Sequence, residues 1–310
     1  MKTLLFKIAI FSLPFLLWLV LLVLVDPFDF FVVSKLIPAE VKRRTSYKLN
    51  SRLWKAVEFQ RNPAPNILLG DSRTDQIDAK LISSKMGQNF YNFAHGGGSL
   101  AEAISTFHYA RKCTELRSVY IGINFNLYNR YNSANLFSGA ELIANDYRYY
   151  LFNKSVAEGL LYNLLSWQSG RDFKIGSPPM NREAFWKYQL SYAATYSYQR
   201  YRYPSTYYEQ LKEISAYCRS RNIKLAFIIL PTHVDLQQRV ADFGLVQAER
   251  RFKKDLAELG TLYDFDYPND WTRERENFSD PFHFKTELME KIIDEVWGNS
   301  RLVARNGEAA

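Results

Sequence analysis

Apolar positions follow two patterns along this chain. The first is continuous: Ile8–Val25 is an 18-residue run without a charge, preceded by Lys2 and Lys7 and closed by Asp26. That length crosses about 30 Å of hydrocarbon as a helix. A cleaved signal peptide has an apolar region of only about 7–15 residues and ends in a small-x-small site. Here Leu-Val-Leu-Val-Asp-Pro follows, so residues 1–25 are expected to be an uncleaved signal anchor. Lys2 and Lys7 favour a cytoplasmic N-terminus, although Lys35, Lys42, Arg43 and Arg44 lie behind the span. A long downstream domain translocates largely regardless of its charge, which puts the body on the extracytoplasmic side of the cytoplasmic membrane.

The second pattern begins at Asn66, after a membrane-proximal stalk spanning 26–65. Short apolar runs at 66–69, 90–93, 118–123, 224–230 and 261–265 predict strands, and 101–111, 207–221, 238–259 and 285–297 carry helical periodicity. Strands alternating with helices predict a three-layer α/β/α sandwich on a parallel five-stranded sheet, flavodoxin-like in outline. The α/β domain is assigned to 66–300 with an insertion at about 125–208, followed by a tail at 301–310.

Composition refines this picture. The 310 residues are 47% hydrophobic and 23% charged, which excludes collagen-like, disordered and disulfide-scaffold classes. Forty Lys and Arg against 32 Asp and Glu give +8, so an acidic partner comes into question. Much of that excess falls at 147–208, a stretch with 12 Tyr, 3 Phe and 2 Trp. Such a segment is either a helical subdomain packed by its own aromatics or a cap whose Tyr and Trp faces stack on sugars. It lacks the regular aromatic-basic spacing of a nucleic-acid platform, so an anionic envelope polymer or a membrane surface explains the charge better than nucleic acid. Cys113 and Cys218 are too few for a disulfide framework or a Cys-based zinc site, and two buried thiols are expected rather than one bridge. The four histidines show no metal-ligand spacing, so neither a metal nor another cofactor is expected.

In parallel sheets ligands gather at the carboxyl ends of strands. After the first strand stands Gly70-Asp71-Ser72-Arg73-Thr74, where a serine on a tight turn is exposed and held rigidly. It is not the Gly-x-Ser-x-Gly elbow, and taken alone it serves equally as a helix cap. After the second comes Asn92-Phe93-Ala94-His95-Gly96-Gly97-Gly98-Ser99, whose glycines allow close backbone approach to a ligand. After the third, Gly122-Ile123-Asn124 sets a neutral amide at the sheet edge. Near the C-terminus, Asp280-Pro281-Phe282-His283 allows a carboxylate to fix an imidazole tautomer. His233 follows the fourth strand and is a candidate pocket residue.

Four such blocks in this order resemble the SGNH hydrolase superfamily, the GDSL-type esterases. The resemblance implies Ser72 as nucleophile, His283 as base and Asp280 as its orienter. It implies an oxyanion hole formed by the Ser72 N–H, the Asn124 side chain and a glycine N–H, for which spacing from Asn92 selects Gly97, with Gly96 and Gly98 as alternatives in the same run. Arg73 departs from the family's leucine, and either binds an anionic substrate or pairs with a carboxylate on the following helix. With its apolar anchor, the chain is similar to the tethered members of bacterial alginate acetylation and lipoteichoic-acid D-alanylation. That implies acyl transfer, acetyl above all, to a cell-envelope polysaccharide or teichoic-type polymer, with a membrane-bound O-acyltransferase as partner. An envelope-facing carbohydrate esterase or lipase and a non-catalytic adaptor are the rival readings.

Overall fold

The computed structural model describes residues 2–171 and 180–298. The expected tail at 301–310, and residues 172–179 of the expected insertion, lie outside the described residues. The chain divides into two compact units, one comprising the described parts of Met1–Asn62 and Leu136–Pro178, the other those of Pro63–Asn135 and Pro179–Ala310.

The second unit is built on five parallel strands, β1 (Asn66–Leu69), β2 (Phe90–Asn92), β3 (Ser118–Gly122), β4 (Lys224–Ile229) and β5 (Thr261–Asp264), in the order β2-β1-β3-β4-β5. Parallel strands need helical crossovers, which cover both faces. Every residue of β1 and β3 is accordingly buried, and both sequences are apolar after their first residues, Asn66 and Ser118. Register pairs Leu68 with Tyr120 and Tyr120 with Ala226, so the three share one face. They pack there with Ile82 of the helix Ala79–Met86 and with Leu288, Ile292 and Ile293 of the helix Thr286–Ile293. The helices Leu100–Cys113 and Ser205–Ser220 pack on each other, the first against β1 and the second against β4. A separate two-stranded hairpin, β6 (Phe278–Asp280) and β7 (His283–Phe284), precedes the last helix.

The five strands lie where the apolar runs predict them. The helix expected over 238–259 is instead two, Val234–Asp242 and Val246–Leu259, because Gly244 turns to φ +68° between them. A side chain rarely adopts that backbone region, and glycine does so without a steric penalty.

The first unit is helical. Lys2–Val25 is one 24-residue helix with an 18-residue window of mean hydropathy 2.9, of which only 12% is buried, long and apolar enough to cross a membrane. The sequence expected as a stalk carries two helices, Ala39–Leu49 and Ser51–Arg61, the second capped by Asn50, whose side chain accepts from the Leu53 N–H. Lys154–Ser169 packs against Ala39–Leu49, where buried Asn163 donates to Ser46 Oγ at 3.0 Å and accepts from Thr45 Oγ1. Past Val25 the chain turns around the Asp26 carboxylate, which accepts three backbone N–H groups, Phe30, Phe31 and Val32, at 2.8 Å each. The Tyr150 hydroxyl donates to the same carboxylate, also at 2.8 Å. Asp26 is fully buried and satisfied by these four donors, so it fixes the exit from the long helix to the rest of its unit.

Candidate active site

Strand order reverses direction between β1 and β3, which opens a crevice at their carboxyl ends. β1 delivers the serine to it. Gly70, at φ +150°, makes the turn; a Cβ there would meet Thr74 Oγ1 at 2.3 Å and Gly122 O at 2.6 Å. Asp71 then caps the short helix Ser72–Asp75 by accepting from the Arg73 N–H at 3.0 Å. Ser72 thus heads a helical turn and is itself half-buried.

The imidazole arrives from the other end of the sequence. β6 and β7 are joined by the two-residue turn Pro281-Phe282, which sets Asp280 directly opposite His283. His283 Nδ1 lies 2.8 Å from Asp280 Oδ2, and His283 Nε2 lies 2.8 Å from Ser72 Oγ. Asp280 Oδ1 accepts from the Phe282 N–H at 2.8 Å, which holds the carboxylate in place. A carboxylate only accepts, so Nδ1 carries the proton, leaving Nε2 as acceptor for the Ser72 hydroxyl. Residues 211 positions apart therefore form one hydrogen-bonded chain, Asp280 to His283 to Ser72.

A cavity of about 240 Å³ opens onto this chain, and Ser72, His283, Arg73, Gly97, Gly98 and Asn126 are among its walls. Gly98 N–H is already committed to His95 O at 2.8 Å, whereas Gly97 stands at φ +65° in the wall. One further wall comes from the helical segment Arg182–Tyr198, through Gln189, Ala193 and Ser197 at four-residue spacing. A π-helical turn at Gln189–Ala193 lies within this segment.

Three expected residues stand differently. Asn124 does not line the cavity: its amide donates to Leu230 O at 2.6 Å and to Asp266 Oδ2 at 3.3 Å, and the residue is 2% exposed. There it belongs to a buried network in which Asp266 also accepts from the Thr232 N–H, the Thr232 hydroxyl and Gln237, tying the ends of β3, β4 and β5 together. The amide facing the cavity is Asn126, two residues on, which the sequence analysis missed; the repeated Asn in Asn124-Phe125-Asn126 was its only signal. His233 is not a cavity residue either. It caps the helix Val234–Asp242, its ring packs edge-on against Trp186 and Phe278, and its N–H donates to Pro281 O at 3.0 Å, at the turn between Asp280 and His283. Burial pushes its imidazole pKa below the ordinary value, so it buttresses the hairpin as a neutral ring. Arg73 pairs with no carboxylate of a following helix: Nε and Nη2 donate to Asp71 Oδ2 at 2.9 and 2.5 Å.

No family model and no curated protein matches the chain. Among solved structures, a candidate platelet activating factor from Streptococcus pneumonia is similar to it at 9% identity, over 80% of this chain and 89% of its own, with a TM-score of 0.41. A candidate acylhydrolase from Bacteroides fragilis is similar at 8% identity, over 79% and 98%, with a TM-score of 0.36. At these values the functional reading rests on the site geometry alone.

Proposed function

We propose that the chain is a membrane-anchored serine acyl-transfer enzyme with Ser72 as nucleophile. The observation that carries this reading is the continuous Asp280–His283–Ser72 hydrogen-bonded chain opening onto a cavity. His283 Nε2 takes the Ser72 proton as Oγ attacks an ester carbonyl, and Asp280 stabilises the imidazolium that forms. The tetrahedral oxyanion is met by the Ser72 N–H, the Gly97 N–H and the NH₂ of Asn126, in the role expected of Asn124. Collapse expels the alcohol, which takes the proton from His283 and leaves an acyl-serine. Water or a sugar hydroxyl then gives its proton to His283 as it attacks the acyl carbon, and His283 passes that proton to Ser72 Oγ as the acyl-serine bond breaks.

The cavity of about 240 Å³ has room for a short acyl group such as acetyl. Two features favour a polysaccharide acceptor at the cell envelope. One is the apolar helix Lys2–Val25. The other is the row Tyr188, Tyr192 and Tyr196, exposed by 42, 60 and 77%, each one residue before a wall residue of the cavity. Tyrosines presented this way offer apolar rings and hydroxyls to a sugar chain leaving the site.

The test is hydrolysis of p-nitrophenyl esters by the full chain in detergent, with and without an acetylatable oligosaccharide. Acetate should turn over faster than octanoate, Ser72→Ala should abolish turnover, and the oligosaccharide should gain the acyl group. Turnover surviving in Ser72→Ala would defeat the assignment.

A further inference from the structure

Arg73 is 2% exposed and stands beside the nucleophile, yet its charge is already matched by Asp71 two residues back. Its contact with Asn126 is more informative. Arg73 Nη2 donates to Asn126 Oδ1 at 2.9 Å, and Asn126 lines the cavity with Ser72 and His283. A side-chain amide can be turned by 180° with little change in shape, and its direction is set by what surrounds it. A guanidinium has donors and no acceptor, so the Asn126 atom facing Arg73 must be the carbonyl oxygen. The NH₂ is then the end left for a ligand.

We propose that Arg73 is a positioning residue that locks the Asn126 amide with its NH₂ available as the oxyanion donor, an inference that rests on the acyl-transfer reading above. The guanidinium end of the lock is fixed. Asp71 holds the guanidinium through Nε and Nη2 and is itself anchored by the Arg73 N–H. The Phe282 ring lies 6.0 Å from Cζ. With the charge neutralised by Asp71, what Arg73 contributes to Asn126 is direction. An aliphatic side chain at 73 would let the amide turn and offer its oxygen to the developing negative charge, which repels it. Arginine in place of leucine after Gly-Asp-Ser thus has a role in the reaction through Asn126.

Steady-state hydrolysis of p-nitrophenyl acetate by the full chain in detergent tests this, with kcat and KM measured separately. Asn126→Asp keeps an acceptor for Arg73 and removes the donor, so kcat should fall about 100-fold or more with KM nearly unchanged. Arg73→Leu should lower kcat similarly in the wild-type background and add little in an Asn126→Ala background, because coupled residues do not act additively. Arg73→Leu also strands the buried Asp71 carboxylate, so Arg73→Lys is the second variant. Its ammonium preserves the charge beside Asp71 but lacks the fork that holds both partners, and kcat should fall about 10-fold or more. Unchanged kcat in Asn126→Asp or Arg73→Lys overturns the proposal, as does an Arg73→Leu effect that is equal in both backgrounds or confined to KM. If wild type hydrolyses the ester and Ser72→Ala does not, such results overturn this inference alone. A wild type inactive on esters, with Ser72 unreactive, overturns the acyl-transfer reading and this inference with it.

Discussion

In the proposed reaction Ser72 depends on two carboxylates. Asp280 holds the His283 tautomer, and Asp71 holds the turn on which Ser72 sits. On the helix Val246–Leu259, burial raises the Glu249 carboxyl to about pKa 7; Lys253 opposes the shift, while Asp266 and Asp264 add to it. The fold therefore favours protonated Glu249. Its contribution is fully present below the unfolded value near 4.5 and is lost as pH rises through about 7. Glu249→Gln removes that loss, so the variant should gain more in Tm over wild type at pH 8 than at pH 5 by thermal unfolding. An equal difference at the two pH values would contradict the assignment. Asn124 and Arg73 show why single residues were only partly legible in the sequence. Asn124 is claimed by Leu230 and Asp266, partners more than 100 positions away, and spacing from Gly122 carries no trace of them. Arg73 turns backward onto Asp71, a contact of two residues that no helix periodicity announces.

Elements were more legible than residues, because a doubly covered parallel strand needs apolar side chains on both faces and so writes itself as a continuous run. β1 and β3 are buried throughout and β4 from its second residue on, and these three announce themselves in this way, whereas β5 is an edge strand only partly buried and shows a shorter apolar run. What the sequence hides is closeness between elements. The end of β3 and the Ser72 turn meet at Gly122: a Cβ there would lie 1.9 Å from Thr74 Oγ1 and 3.0 Å from Thr74 Cβ. Thr74 is 1% exposed and has little room to yield. Gly122→Ala should therefore lower unfolding stability by about 1–3 kcal/mol, as overpacking does, and displace Ser72 with loss of turnover. Denaturant unfolding measures the first effect, and an unchanged midpoint with full activity would show that the approach is looser than described. The hairpin β6–β7 was legible as chemistry rather than as structure. Asp280 and His283 were picked out as a loop pair, and they are cross-strand partners on either side of a two-residue turn.

At the scale of the whole molecule, all residues of the proposed reaction belong to one unit, and the long apolar helix belongs to the other. The sequence suggested one α/β domain with an aromatic insertion between its third and fourth strands. In the structure the described part of Leu136–Pro178 groups with the N-terminal helices, while the helical segment Arg182–Tyr198, which carries the tyrosine row and lends Gln189, Ala193 and Ser197 to the cavity wall, stays with the sheet. Sequence order concealed this division, because the helices that accept Leu136–Pro178 lie before the first strand. Labelling of the full chain by a fluorophosphonate tests the central claim most directly, since phosphonylation requires both an activated serine and an oxyanion site. The account predicts one adduct on Ser72, absent in Ser72→Ala and much slower in His283→Ala. A folded wild type that takes no label, or one labelled equally in Ser72→Ala, would contradict it.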